Sequence, residues 1–131
     1  MDLGLQGKTA LVLGGSKGLG RAIADALSAE GVAVAMLARG QQALDEAVGA
    51  IGARGGHAIG LAADLTQWPT VERAVRVARE DLGPIDILVN NCGGPPPARG
   101  IGIAPELWLE QFHAMVLACI RLTELLLPEM R

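Results

Sequence analysis

At 131 residues, half of them hydrophobic but only 2% aromatic and with a formal net charge of −3, the chain has room for one compact domain. Its core must be built from Ala, Val, Leu and Ile, the usual filling of a parallel sheet buried under helices. The 11 Lys and Arg residues are scattered rather than clustered, which excludes an electrostatic footprint for nucleic acid. The longest uncharged stretch, Ile87 to Ala98, carries three prolines and falls far short of the roughly 20 apolar residues of a membrane helix.

The amino terminus, MDLGLQGKTALVLGG, has no basic head followed by a long apolar segment, so a mature cytoplasmic chain is expected. Cys92 and Cys119 form neither a disulfide framework nor a ligand spacing, and His57 and His113 stand far apart. Free thiols and no metal are expected.

Along the chain, two periods alternate. Lys8 to Gly14 is an apolar run of strand length; Leu19, Ala22, Ile23, Ala26 and Leu27 then recur at helical spacing until Gly31. Val32 to Ala38 is a second strand, and Leu44, Ala47, Val48 and Ile51 mark a second helix that breaks in GARGG. His57 to Ala63 reads as a third strand. Val71, Ala74, Val75, Ala78 and Leu82 mark a third helix, entered past Pro69 and ended at Gly83-Pro84, before a fourth strand in IDILVNN.

After the loop CGGPPPARGIGIA, a long helix is expected from Pro105 onward. Leu109, Phe112, Val116, Cys119, Ile120, Leu122, Leu126 and Leu127 are too many for one narrow stripe, which predicts burial on more than one side. Repeated βα units with right-handed crossovers predict an α/β, Rossmann-type doubly wound parallel sheet of strand order 3-2-1-4. Residues 1–131 are read as one dinucleotide-binding domain.

The segment LGGSKGLG places Gly14, Gly18 and Gly20 where the first strand feeds the first helix. There a helix N-terminus offers unpaired N–H groups, and glycines let the backbone approach a pyrophosphate that a Cβ would obstruct. A tight turn that binds nothing is the alternative, and the βαβ frame weighs against it. GLQGKT imitates the end of a nucleotide triphosphate loop but fails, because its first glycine position holds Asp2 and Lys8-Thr9 precedes the strand.

The second strand ends MLARG. A carboxylate there would grip the ribose 2′-OH of NAD, whereas a basic residue accommodates the 2′-phosphate of NADP. Arg39 stands in that place and Lys17 adds a second cation, so NADP(H) is favoured over NAD; a solvated loop charge is the lesser alternative for Arg39.

LGGSKGLG resembles the TGxxxGxG turn of the short-chain dehydrogenases/reductases, LVNNCGG resembles their NNAG motif, and AADLT is similar to their segment after the third strand. NNCGGPPPARG further resembles the 3-oxoacyl-acyl-carrier-protein reductase-like branch. The resemblance implies that Gly14, Gly15, Ser16, Lys17, Gly18 and Leu19 face the pyrophosphate, with Gly20 permitting close helix packing. It implies that Asp64 bonds the adenine beside the Leu65 backbone, and that Asn90, Asn91, Cys92 and Gly93 flank the riboses. Taken singly, a strand cap is the lesser alternative for Asn91 and a helix cap for Asp64, and their joint placement at the carboxyl edge weighs against both.

The same resemblance implies a hydride transfer between the nicotinamide and a carbonyl or alcohol substrate, and a homodimer or homotetramer paired through the helix at 105–130. Leu13 replaces the family's Thr before the first glycine and cannot donate the hydrogen bond that helps fix the turn. Met115 falls at or near the proton-relay Asn and reads as core filler. The family's Ser and YxxxK, with Tyr as general acid and Lys lowering its pKa, are expected beyond LLLPEMR, so the catalytic set within these residues is none. A non-catalytic dinucleotide-binding module is the alternative function.

Overall fold

The computed structural model describes residues 1–91 and 97–131. Four parallel strands, β1 (Thr9–Leu13), β2 (Ala33–Ala38), β3 (Ala58–Ala62) and β4 (Ile87–Val89), lie in the order β3-β2-β1-β4, as the βα alternation predicts. Between them run α1 (Gly18–Ala29), α2 (Gln41–Ala53) and α3 (Trp68–Leu82). The last helix consists of α4 (Pro105–Phe112), a π turn at His113–Leu117 and α5 (Ala118–Met130).

Strand alternation divides the core into two layers. Ala10, Val12, Val34 and Met36 meet Ala24 of α1 and Leu44, Ala47 and Ile51 of α2 on one face. Leu11, Leu13, Ala35 and Leu37 meet Val71, Ala74, Val75 and Ala78 of α3 and Leu122 and Leu126 of α5 on the other. Pro69 sits inside the first turn of α3 rather than ahead of it, where its missing N–H costs nothing.

Two expectations need correction. The fourth strand is only Ile87–Val89 rather than the full IDILVNN segment; β4 pairs with β1 alone, and past one further main-chain bond to β1 at Asp86 the hydrogen bonds involve side chains. The N–H of Asp86 bonds the Thr9 carbonyl, the N–H of Ile85 bonds Glu129, and the Asn91 amide bonds Leu13. The helix from Pro105 is not buried on more than one side. On α5 only Ala118, Leu122 and Leu126 are buried and α4 has no buried residue, while Leu109, Phe112, Val116, Ile120 and Leu127 are exposed. The sheet covers one stripe of this helix, and only alongside its second half.

A polar clamp holds that helix at its far end. The Arg79 guanidinium of α3 donates to Glu129 Oε1 and to the Leu125 carbonyl, and Glu129 Oε2 accepts from the Ile85 N–H at 2.9 Å. Among the described residues no helix is long and apolar enough to cross a membrane. Glu129→Ala strands the guanidinium and the Ile85 N–H together, so a loss of about 1–3 kcal/mol is expected, read as a lower urea midpoint; an unchanged midpoint would show that the clamp carries no stability.

Candidate functional site

The site is built on the turn between β1 and α1. Gly14 and Gly18 hold φ of +63° and +55°, a conformation that residues with a Cβ rarely adopt. At Gly20 a Cβ would stand 2.1 Å from the Gly14 carbonyl oxygen, and at Gly15 one would meet Met36 Cγ at 2.8 Å. Gly20 and Gly15 therefore lie beneath the turn and let it pack, while Gly14 and Gly18 line its open side.

What fixes the turn comes from neighbouring strands. The N–H groups of Gly14 and Gly15 bond the Leu37 carbonyl at 2.8 and 3.4 Å. Asn91 Nδ2 donates to the Leu13 carbonyl at 3.2 Å, so an amide beyond β4 braces the turn that Leu13 has no side-chain donor to brace. Asn91 is thus neither a bare strand cap nor a free ligand group.

Lys17 is the extended N-cap of α1 and makes no side-chain capping bond. The N–H groups of the first helical turn, at Gly18, Leu19 and Gly20, precede the intrahelical ladder, and a partial positive charge is directed out of the helix. Above them opens a cleft of about 640 Å³ along the carboxyl edge of the sheet. Ser16, Lys17 and Leu19 line it from the turn, Arg39 from the end of β2, Asp64 and Leu65 from beyond β3, and Asn91 from beyond β4. Lys17 and Arg39 are exposed, and among the described residues neither enters an ion pair.

Asp64 is held in an Asx turn. Its Oδ1 accepts from the Thr66 hydroxyl at 2.7 Å and the Thr66 N–H at 2.9 Å, and Thr70 Oγ1 bridges back to the Asp64 main chain. Gln67, not Asp64, occupies the N-cap of α3. The Thr66 hydroxyl bond lowers the Asp64 pKa most, burial opposes it, and the Thr66 N–H and the Arg39 charge lower it further, holding it below the ordinary aspartate value.

Asn90 is not brought into the cleft. Just past the end of β4, its amide reaches Thr123 of α5 at 3.5 Å, whereas Asn91 lines the cleft. Cys92 and Gly93 lie outside the described residues. Met115 is not core filler either: it is 41% exposed and lines the cleft, because the π turn stands past the end of the sheet. Sequence reasoning missed Gly40, Ala43, Thr66, Glu110, Gln111 and Ala114, which also line the cleft. The Asp-x-Thr spacing signals Thr66; nothing local signals the helix residues.

A carboxylate whose folded pKa is depressed adds stability above its unfolded value, about 3.9, and loses that contribution as pH falls through the folded value. Comparing wild type with Thr66→Val by urea denaturation from pH 7 to pH 3, the stability gap is expected to be widest at neutral pH and to narrow below about pH 4. A gap that stays constant with pH would remove the Asp64–Thr66 bond as its source.

A family model described as short chain dehydrogenase matches residues 8–131. A short chain dehydrogenase of Pseudocercospora fijiensis is 39% identical, with 96% of this chain and 41% of the relative covered. The ketoacyl reductase HetN of Nostoc is 36% identical over 96% of this chain and 44% of its own length. In structure, L-sorbose reductase from Gluconobacter frateurii, complexed with NADPH and L-sorbose, superposes with a TM-score of 0.93 at 34% identity, covering 99% of this chain and 50% of the other. The chain thus spans half or less of the length of these proteins. Matched from Lys8 to its last residue, it belongs to the short-chain dehydrogenase family.

Proposed function

We propose that residues 1–131 form the dinucleotide-binding domain of an NADP(H)-dependent oxidoreductase that interconverts a carbonyl and an alcohol in the cytoplasm. The observation that carries this reading is the pair of exposed cations, Lys17 and Arg39, flanking a cleft above the uncapped N-terminus of α1, with no carboxylate closing β2. Relatives in the same fold are complexed with NADPH, among them the sorbose reductase and a blue fluorescent protein from a metagenomic library.

The residues fit the cofactor. A Cβ at Gly14 would meet Asn91 Nδ2 at 2.9 Å, whereas the corresponding space at Gly18 is open to the cleft. The first-turn N–H groups of α1 would hold the pyrophosphate, Arg39 and Lys17 the 2′-phosphate, and Asp64 with the Leu65 main chain the adenine. When bound, the nicotinamide supplies or accepts the hydride. Reduction also needs a proton donor at the substrate oxygen; the sequence contains no Tyr, and His113 is exposed on the helix. These 131 residues alone are therefore proposed to bind the dinucleotide without turning it over.

A second copy is the proposed protein partner. Leu109, Phe112, Val116, Ile120 and Leu127 form an exposed stripe with spacings of three, four and seven residues along the last helix, suited to helix pairing across a two-fold axis. In sedimentation velocity a dimer or tetramer is expected at tens of micromolar, on the rough scale at which exposed apolar patches associate, and Ile120→Glu is expected to shift it toward monomer. A wild-type monomer at that concentration would rule the pairing out.

Fluorescence titration tests the cofactor reading. NADPH is expected to bind more tightly than NADH, and Arg39→Ala to narrow the gap by roughly ten- to a hundredfold, the loss of one charge-assisted hydrogen bond of about 1.5–3 kcal/mol. Equal affinities in the wild type, or ketone-dependent NADPH consumption by these residues alone, would contradict it.

A further inference from the structure

The face of α5 that packs on the sheet continues upward onto a face with no sheet beneath it. Leu126, Leu122 and Ala118 are buried, and at helical spacing the same face carries Met115, Gln111 and Leu107 past the carboxyl edge. There, with the loop residue Ile103, they wall a second cleft of about 580 Å³, a size suited to a small molecule. Trp108, Phe112 and Val116 complete its helical side. Among the described residues none that lines it is charged, and Gln111 is its one polar side chain.

This cleft is continuous with the first, since Gln111 and Met115 line both. The flexible thioether of Met115 adapts to apolar groups of varied shape. Of the stripe proposed to pair two copies, Phe112 and Val116 also border the cleft, whereas Leu109, Ile120 and Leu127 lie outside it.

We infer that the second cleft seats the apolar part of the substrate, an alkyl or aryl group attached to the carbonyl or carbinol carbon. The assignment rests on the proposed oxidoreductase reading and narrows it. With no charge and one amide in the lining, a polyhydroxylated chain would lose more hydrogen bonds to water than the cleft returns. Each methylene removed from water strengthens binding by up to about fourfold (~0.8 kcal/mol).

Trp108 lies in this cleft, and Trp68 is the only other tryptophan, so Trp68→Phe makes the emission of the 131-residue chain a reporter of the cleft. That protein is titrated with 2-alkanones from 2-hexanone to 2-decanone and with a ketohexose, while NADPH binding is followed separately by the nucleotide's own fluorescence. Saturable emission changes are expected, with affinity rising about two- to fourfold per methylene and no saturation by the ketohexose. Ile103→Asp, outside the dinucleotide cleft, is expected to weaken decanone binding at least tenfold and to leave NADPH affinity within twofold. Affinity independent of chain length, or a ketohexose that binds as well as decanone, overturns the assignment. So does emission that follows protein concentration instead of ketone, which would mean that the cleft closes between copies. Length-dependent ketone binding without NADPH binding would instead support the apolar cleft and remove the cofactor reading.

Discussion

The approach of α1 to β1 sets the geometry of the carboxyl edge. With 2.1 Å between the Gly14 oxygen and the place a Cβ would take at Gly20, the helix can dock at this depth only on a glycine. That depth brings the first-turn N–H groups down to the level of the strand ends, where Arg39, Asp64 and Asn91 also emerge. A helix held farther out would aim the same positive end over the protein rather than into the cleft. Asn91 couples this docking to the sheet, since its amide lies against both Gly14 and Gly20 and bonds the Leu13 carbonyl. One contact between backbones thus brings together groups from β1, β2, β3 and β4.

The fold was legible because its rules are local and chiral. Apolar runs of strand length alternating with amphipathic helices leave few arrangements once crossovers must be right-handed, and β3-β2-β1-β4 is among them. The ends of β4 and the fate of the last helix were not legible for a common reason. Ile85 is strand-like by type, but its N–H bonds the Glu129 carboxylate of a helix distant in sequence. Leu109 and Ile120 are apolar by type, but whether they are covered depends on how far the neighbouring sheet extends. Residue type records affinity for an apolar surface, not whether one is within reach.

The candidate site divides along the same line. Lys17, Arg39, Asp64, Leu65 and Asn91 sit just past strand ends, so a reading that located the strands also located them. Asn90 carries the same side chain as its neighbour, yet it turns to Thr123. Glu110, Gln111, Ala114 and Met115 enter the cleft because α5 runs antiparallel to the strands and its N-terminal extension overshoots them. That arrangement joins residues nearly a hundred positions from the glycine turn, and no spacing encodes it.

The clamp of Arg79, Glu129 and Ile85 lies at the amino edge of the sheet, as far from the cleft as the helix permits. Glu129 and Met115 are separated by about 20 Å of helix at 1.5 Å per residue. Between the two, the helix is seated on the sheet through Leu126, Leu122 and Ala118, and only past Ala118 does it project over the cleft. A tilt of about 3° at the clamp moves Met115 by about 1 Å, a displacement large on the scale of side-chain packing yet small enough to leave Leu126 seated. The width of the cleft therefore depends on how the whole helix is seated, and not only on the residues that line it.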